Sequence, residues 1–392
     1  MTFKHLASRL DHIAPFHVME LAKMAAQLEQ QGRHIIHMGI GEPDFSAAAP
    51  VIEAASRAMA EGRLQYTSAT GLPALREAIA DHYRQVYGLT IAPSRIIITA
   101  GASAALLLAC AALVDKGAEV LMPDPSYPCN RHFVAAFDGQ PRMIASGPEH
   151  RFQLSDEMVR AHWSSATRGV LLASPSNPTG TSIAADELRK IVATVRENDG
   201  FTIVDEIYQG LTYDAPPFSA LSLGDDVIVI NSFSKYFNMT GWRLGWLVVP
   251  ETLVPQIEKL AQNLFICPSS IAQHAGIACF APESIAIYEE RKAEFRRRRD
   301  YIVPALRELG FTVPVTPDGA FYVYADCSAF TADADQLTID ILNQAGVVIV
   351  PGLDFGPSTA HQYVRISYAT SMANLQEAVE RLRKFFAVRA VT

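Results

Sequence analysis

Five short runs rich in β-branched residues recur along the chain with helix-forming stretches between them: RIIITA (95–100), EVLMP (119–123), GVLLAS (169–174), FTIVDE (201–206) and DVIVIN (226–231). A strand with one face in water alternates apolar and polar residues, whereas these runs are continuously apolar, as a strand can be only when both faces are covered. Continuous strands separated by helices specify an α/β fold with a mostly parallel sheet between helices. A chain of 392 residues exceeds what one core usually fills, and the texture changes after Pro250. A helical region to about Phe280 is followed by a long charged helix (283–310) ending at Gly310, strand-like pieces (FYVYAD, VVIVP, YVRISYA) and an amphipathic helix, NLQEAVERLRKFF. Residues 17–31 read as a helix stopped by Gly32, and HIIHMGIGEPDF as a short strand entering a turn. The expected organisation is an N-terminal arm and lead-in (1–50), a large domain (51–283) and a smaller α+β domain (284–392), with a soft boundary near 281–290.

Thirty-three basic against 41 acidic side chains leave a formal charge of −8, a poor balance for a protein that must neutralise phosphates on nucleic acid or anionic lipid. The most apolar stretch, residues 102–114, is 13 residues long, short of the roughly 20 needed to cross a bilayer. The N-terminus lacks the uninterrupted apolar segment of a secretory signal. Five scattered cysteines without a C-x-x-C pair make neither a disulfide framework nor a zinc site. A cytoplasmic protein without a metal, bound to neither membrane nor nucleic acid, is expected. His34 and His37 fall on opposite faces of a strand, the run Arg296 to Arg299 reads as a solvated helix face, and Gly39-Ile40-Gly41 lacks the third glycine of a dinucleotide site.

In an open parallel sheet ligands collect beyond the carboxyl ends of the strands, so the residues after each run carry the chemistry. Gly101-Ala102-Ser103 opens a helix, leaving backbone N–H groups and a hydroxyl for an anion. Asp124-Pro125-Ser126-Tyr127-Pro128 presents an aromatic on a rigid turn. In Pro175-Ser176-Asn177-Pro178 two prolines fix the backbone around Asn177. Asp205 ends a buried run, where an acid needs a partner, and Tyr208 follows it. Ser232, Ser234, Lys235 and Arg243 crowd into twelve residues; desolvation and like charge there lower the pKa of Lys235, making it a candidate imine former. Phosphate cradle, stacking ring, buried acid, phenol and lysine together suit one ligand, pyridoxal phosphate.

With GEPDF, QYTSATGLPALREAIA, DPSYP, SNPTG, DEIY, SFSKYFNMTGWRLGW, DGAFYVY and VRISYA in order, the sequence resembles the fold-type I pyridoxal-phosphate enzymes of the class I and II aminotransferase family, of the aspartate aminotransferase type. The resemblance implies a seven-stranded-type sheet in the large domain and a role for each residue. Lys235 would carry the cofactor and move the substrate proton, and Asp205 would pair with the ring nitrogen. Tyr208 and Asn177 would bond the ring's phenolic oxygen, with Tyr127 stacked on its face. Ala102, Ser103, Ser232, Ser234 and Arg243 would cradle the phosphate, joined by Tyr66 from a second subunit, so that a homodimer shares its active sites. Arg365, helped by Asn177 and the backbone at Ile40 and Gly41, would take the substrate carboxylate. No second basic residue in these motifs matches the relatives' devices for an acidic side chain, which leaves the donor open.

The leading expectation is amino-group transfer from an L-amino acid to a 2-oxo acid, 2-oxoglutarate or pyruvate. The same cofactor also permits a lyase or synthase eliminating at Cβ or Cγ. A cofactor-sensing regulator would need a basic DNA-binding domain, and only about 35 residues precede the first matching motif.

Overall fold

A computed structural model describes residues 6–13 and 15–389. In chain order its elements are α1 (His17–Gln30), β1 (Ile36–His37), α2 (Ala49–Ala60), α3 (Pro73–Tyr87), β2 (Ile96–Thr99), α4 (Gly101–Leu113), β3 (Glu119–Asp124), α5 (Pro128–Ala135), β4 (Gln140–Ala145), α6 (Asp156–His162), β5 (Thr167–Ala173), α7 (Ala185–Glu197), β6 (Phe201–Asp205), β7 (Ile228–Ser232) and β8 (Gly245–Val248). After these come α8 (Val254–Leu264), α9 (Ser270–Ile277), α10 (Pro282–Glu308), β9 (Tyr322–Asp326), α11 (Ala334–Ala345), β10 (Val347–Val348), β11 (Val350–Pro351), β12 (Tyr363–Ser367) and α12 (Met372–Arg389). Several helices start with proline in the first turn, where the missing N–H costs nothing, and α3 and α11 stop at left-handed Gly88 and Gly346.

Seven strands form the main sheet in the order β2-β8-β7-β6-β5-β3-β4, parallel except for β8, which runs antiparallel to both neighbours. The continuously apolar runs explain themselves here. Ile96 and Ile98 enter the core on one face with Val170, Leu172, Val204 and Trp246, while Ile97 enters the other with Leu171, Ile203, Ile230 and Leu247 beneath α4 and α8. Two strands escape the sequence pattern. At the edge, β4 alternates exposed and partly buried residues around Pro141, which an edge strand tolerates; β8 hides in the motif-rich stretch after Arg243. The run VVIVP divides: β10 pairs parallel with β1, and β11 pairs antiparallel with β12, which joins β9 in a three-stranded sheet. The long charged helix is a single element despite Pro304 within it. No described helix is long and apolar enough to cross a membrane.

The antiparallel β8 bears directly on the strand ends. A Cβ on Gly245 would lie 2.8 Å from the Ala102 nitrogen, 2.8 Å from the Gly101 carbonyl carbon and 2.9 Å from the Asn231 oxygen, all backbone atoms with little room to yield. The first turn of α4 can therefore rest on β8 only because residue 245 has no side chain. Gly245→Ala should lower stability by about 1 to 3 kcal/mol through overpacking, read as a lower denaturant midpoint at unchanged slope; an unshifted midpoint would mean α4 is free to move away.

Candidate active site

Each sequence-predicted site residue except Tyr66 lines a single cavity of about 490 Å³ at the carboxyl ends of the parallel strands. The fold brings them there from seven places along the chain. Ala102 and Ser103 come from the first turn of α4, Tyr127 from the turn after β3, and Asn177 from the turn after β5. Asp205 is the last residue of β6, with Tyr208 just beyond. Ser232 ends β7, and Ser234, Lys235 and Arg243 follow it. From the opposite side β12 delivers Arg365, and the stretch after β1 delivers Ile40 and Gly41.

At one end of the cavity lies an anion cradle. The Arg243 guanidinium packs so closely on Gly101 that a Cβ there would sit 2.7 Å from Nη2. Arg243 itself adopts a left-handed conformation (φ 52°) and anchors Nη1 on the Thr240 carbonyl at 2.9 Å. The Ser232 and Ser234 hydroxyls lie 3.0 Å apart, beside the start of α4. Hydroxyls, an arginine and a helix N-terminus converging on one spot are what a phosphate requires.

Deeper in, Asp205 is 5% exposed and its Oδ1 accepts the Ile207 N–H at 3.0 Å. Burial pushes its carboxyl up to about 7, against the opposing pull of that hydrogen bond and of Lys235. A carboxylate so placed is stabilised by a cation, and a protonated ring nitrogen fits that need. Lys235 donates to the Gly41 carbonyl at 2.6 Å and lies 5.9 Å from the Tyr208 ring and 6.0 Å from that of Phe321. Desolvation first, with Arg365 and Arg243 adding to it, brings its ammonium down to about 8, although Glu42 and Asp205 pull the other way. The charged form still predominates at pH 7, yet far more of this amine is neutral than in a lysine in water, which suits a nucleophile or a base.

The Arg365 guanidinium is 4% exposed. Its Nη1 donates to Asn177 Oδ1 at 2.8 Å, Nη2 donates to the Gly39 carbonyl, and the group lies between the rings of Tyr322 (4.6 Å) and Phe355 (4.9 Å). No carboxylate among the described residues forms an ion pair with it, and Nε is buried without a hydrogen-bond partner. A buried guanidinium with no acid beside it has the chemistry to take a carboxylate.

Sequence reasoning missed three contributors. Tyr322 places its hydroxyl 2.7 Å from that of Tyr208 and stacks on Arg365; it lay in the motif DGAFYVY without a role. Phe355 and Asp354 come from the segment between β11 and β12, which has no strand-end signature. The α1 residues Phe16, Val18, Met19 and Ala22 also line the cavity. Their signal was there: α1 carries apolar residues on more of its circumference than one packed face needs. Tyr66 stands in the connection after α2, 81% exposed. The five cysteines are unpaired thiols, and among the described residues no group of acids, histidines and cysteines is arranged to hold a metal.

Residues 33–382 match the family described as Aminotransferase class I and II. The chain is 38% identical over 372 residues to the valine–pyruvate aminotransferase of Mycobacterium tuberculosis, covering 94% of this chain and 96% of that one. Among solved structures it superposes on an aminotransferase from Mycobacterium tuberculosis with a TM-score of 0.95 at 37% identity, covering 98% of this chain and all of that one. It also superposes on the Thermus thermophilus aspartate aminotransferase with maleate, with a TM-score of 0.92 at 33% identity over 97% of this chain and all of that one.

The buried acid makes a pH prediction for the cofactor-free protein. Unfolded, Asp205 releases its proton near 3.8; folded, it keeps it to about 7. Between these values the folded state binds more protons, so stability falls as pH rises. Glu206, buried and raised to about 8, acts in the same direction; Lys235, lowered from 10.5 to about 8, adds stability with rising pH only above that window. The melting temperature should fall from about pH 5 to about pH 8, and Asp205→Asn should flatten part of the fall. An identical slope in that variant would show that Asp205 is charged throughout.

Proposed function

The chain belongs to the class I and II aminotransferase family, and on that footing we propose that this cavity moves an amino group from an L-amino acid to a 2-oxo acid, with pyruvate or 2-oxoglutarate as acceptor, in two half-reactions at the same residues. The enzyme's cofactor, pyridoxal phosphate, supplies an aldehyde that captures amino groups and a ring that withdraws electrons from the substrate Cα. The observation that carries the assignment is Arg365, a buried cation without an acid partner, in the same cavity as a lysine of lowered pKa.

The cradle of Ala102, Ser103, Ser232, Ser234 and Arg243 would hold the phosphate, and Asp205 would pair with the ring nitrogen and keep it protonated. Tyr127 would stack on the ring, and Tyr208 and Asn177 would bond its phenolic oxygen. Arg365 clamps the substrate α-carboxylate as a planar bidentate pair, with Asn177 and the backbone at Ile40 and Gly41 beside it. With the carboxylate fixed, Lys235 Nζ takes the proton from Cα and returns it in the reverse direction. Its depressed pKa matches that work, since a base is most effective when its pKa lies near the working pH. Tyr66, exposed on a single chain, reaches the phosphate of a second copy in a homodimer with shared sites.

The direct experiment adds single amino acids to the purified holoenzyme, follows the cofactor absorbance, and then adds 2-oxo acids. Reversible conversion supports transfer; irreversible release of ammonia with loss of a Cβ substituent would point instead to a lyase. Arg365→Ala should cost about 2 to 5 kcal/mol in kcat/KM for every amino acid and 2-oxo acid, because all share the carboxylate. Arg365→Lys should recover only part, since an ammonium lacks the planar fork. Losses confined to dicarboxylic substrates would mean that Arg365 reads the side chain.

The shared site has its own test. Tyr66→Arg and Lys235→Ala should each be inactive, yet after dissociation and mixing a hybrid dimer gathers both lesions in one site and leaves the other intact. Activity should partly return. A mixture that stays dead despite proven subunit exchange would place Tyr66 in its own chain's service.

A further inference from the structure

We propose that α1 is the reader of the substrate side chain and that its apolar wall, anchored by Asp354, restricts the enzyme to amino acids and 2-oxo acids whose side chains are uncharged and apolar; this rests on the aminotransferase assignment above. Both half-reactions use the one cavity, so the restriction applies to donor and acceptor alike, and of the two acceptors named above it keeps pyruvate and rejects 2-oxoglutarate.

The charged side chains that line the cavity are accounted for one by one. Arg243 sits against Gly101 in the anion cradle, Lys235 and Asp205 lie at the strand ends, and Arg365 holds Asn177 and Gly39 between two rings. Among the described residues the remaining charge in the lining is Asp354, an anion. The apolar part of the lining includes Phe16, Val18, Met19 and Ala22, with Ile40, and Val18 packs against the cluster of Phe355, the ring beside Arg365. Arg131 lies behind Asp354, donating to its backbone oxygen at 3.0 Å, and already neighbours the acids Asp354 and Asp124. Arg131 is not part of the lining, so among the described residues that one chain brings to the cavity a second carboxylate would meet hydrocarbon and an aspartate, losing water without gaining a lining cation.

The helix is built for two tasks at once. Leu21, Ala25 and Leu28, at helical spacing, pack with Ile35, Leu342 and Val348, which leaves Val18, Met19 and Ala22 for the cavity. At its start α1 lacks a side-chain cap of its own. Asp354, 337 residues away in sequence, supplies it: its Oδ1 accepts the His17 N–H at 2.7 Å and its Oδ2 the Val18 N–H at 2.9 Å. A carboxylate on two orphan N–H groups at a helix start is a strong tether, and it fixes the wall relative to Phe355 and thus to Arg365. Asp354 is a positioning residue.

The test measures half-reactions of the holoenzyme with alanine, valine, leucine, phenylalanine, aspartate and glutamate, and the reverse with pyruvate and 2-oxoglutarate. Leucine and valine should exceed aspartate and glutamate by at least about 100-fold in kcat/KM, the consequence of burying a carboxylate unpaired. Aspartate or glutamate within tenfold of leucine would overturn the proposal and leave the transfer reaction standing; no transfer from any amino acid would overturn both. Met19→Arg, on a residue 56% exposed and tolerant of change, should raise glutamate relative to leucine at least tenfold, and no gain would remove α1 as the reader. Asp354→Ala should raise KM for leucine about tenfold with a smaller change in kcat, spare alanine by comparison, and be partly rescued by Asp354→Asn. Equal losses for alanine and leucine would make Asp354 merely structural.

Discussion

The Arg365 guanidinium joins three parts of the chain that share no secondary structure. It donates to Asn177 after the fifth strand of the main sheet and to Gly39 near the N-terminus, and it is stacked between Tyr322 and Phe355 from the C-terminal third. A desolvated cation costs several kcal/mol unless its donors are met, so the three segments are held where their acceptors and ring faces can meet it. One donor, Nε, stays unpaired.

The same economy of charge runs through the rest of the cavity. Lys235 and Asp205 are both displaced toward their neutral forms by burial, so the protein without its cofactor holds groups whose pKa values lie near the physiological range. Under the function proposed above, the ring nitrogen would pair with Asp205 and the aldehyde would take up the neutral amine of Lys235.

Much of this was legible in residue order. The five apolar runs announced a sheet covered on both faces, and the residues after them proved to converge because parallel strands place their carboxyl ends on one edge. The less legible parts have physical reasons. The edge strand β4 is half exposed and contains Pro141, so its pattern lacks the apolar continuity of the interior strands. VVIVP reads as one strand, yet backbone pairing sends its halves to two different sheets. Tyr322 had a motif but no role, since its value lies in touching Tyr208 and Arg365, both distant in sequence.

What the sequence determined by itself is the chemistry: which side chains end the buried strands, which lysine is crowded by hydroxyls and arginine, and which family such an order resembles. These are local facts, set by the period of strands and helices and by what burial does to a charge. Only the tertiary structure decided what surrounds that chemistry. It brought α1 residues into the lining of the cavity, capped the helix with an aspartate from the far end of the chain, and so put apolar side chains beside the charged ones. Residues hundreds of positions apart have no common periodicity to reveal their meeting; that information exists only once the backbone has folded and the hydrogen bonds between remote segments have been made.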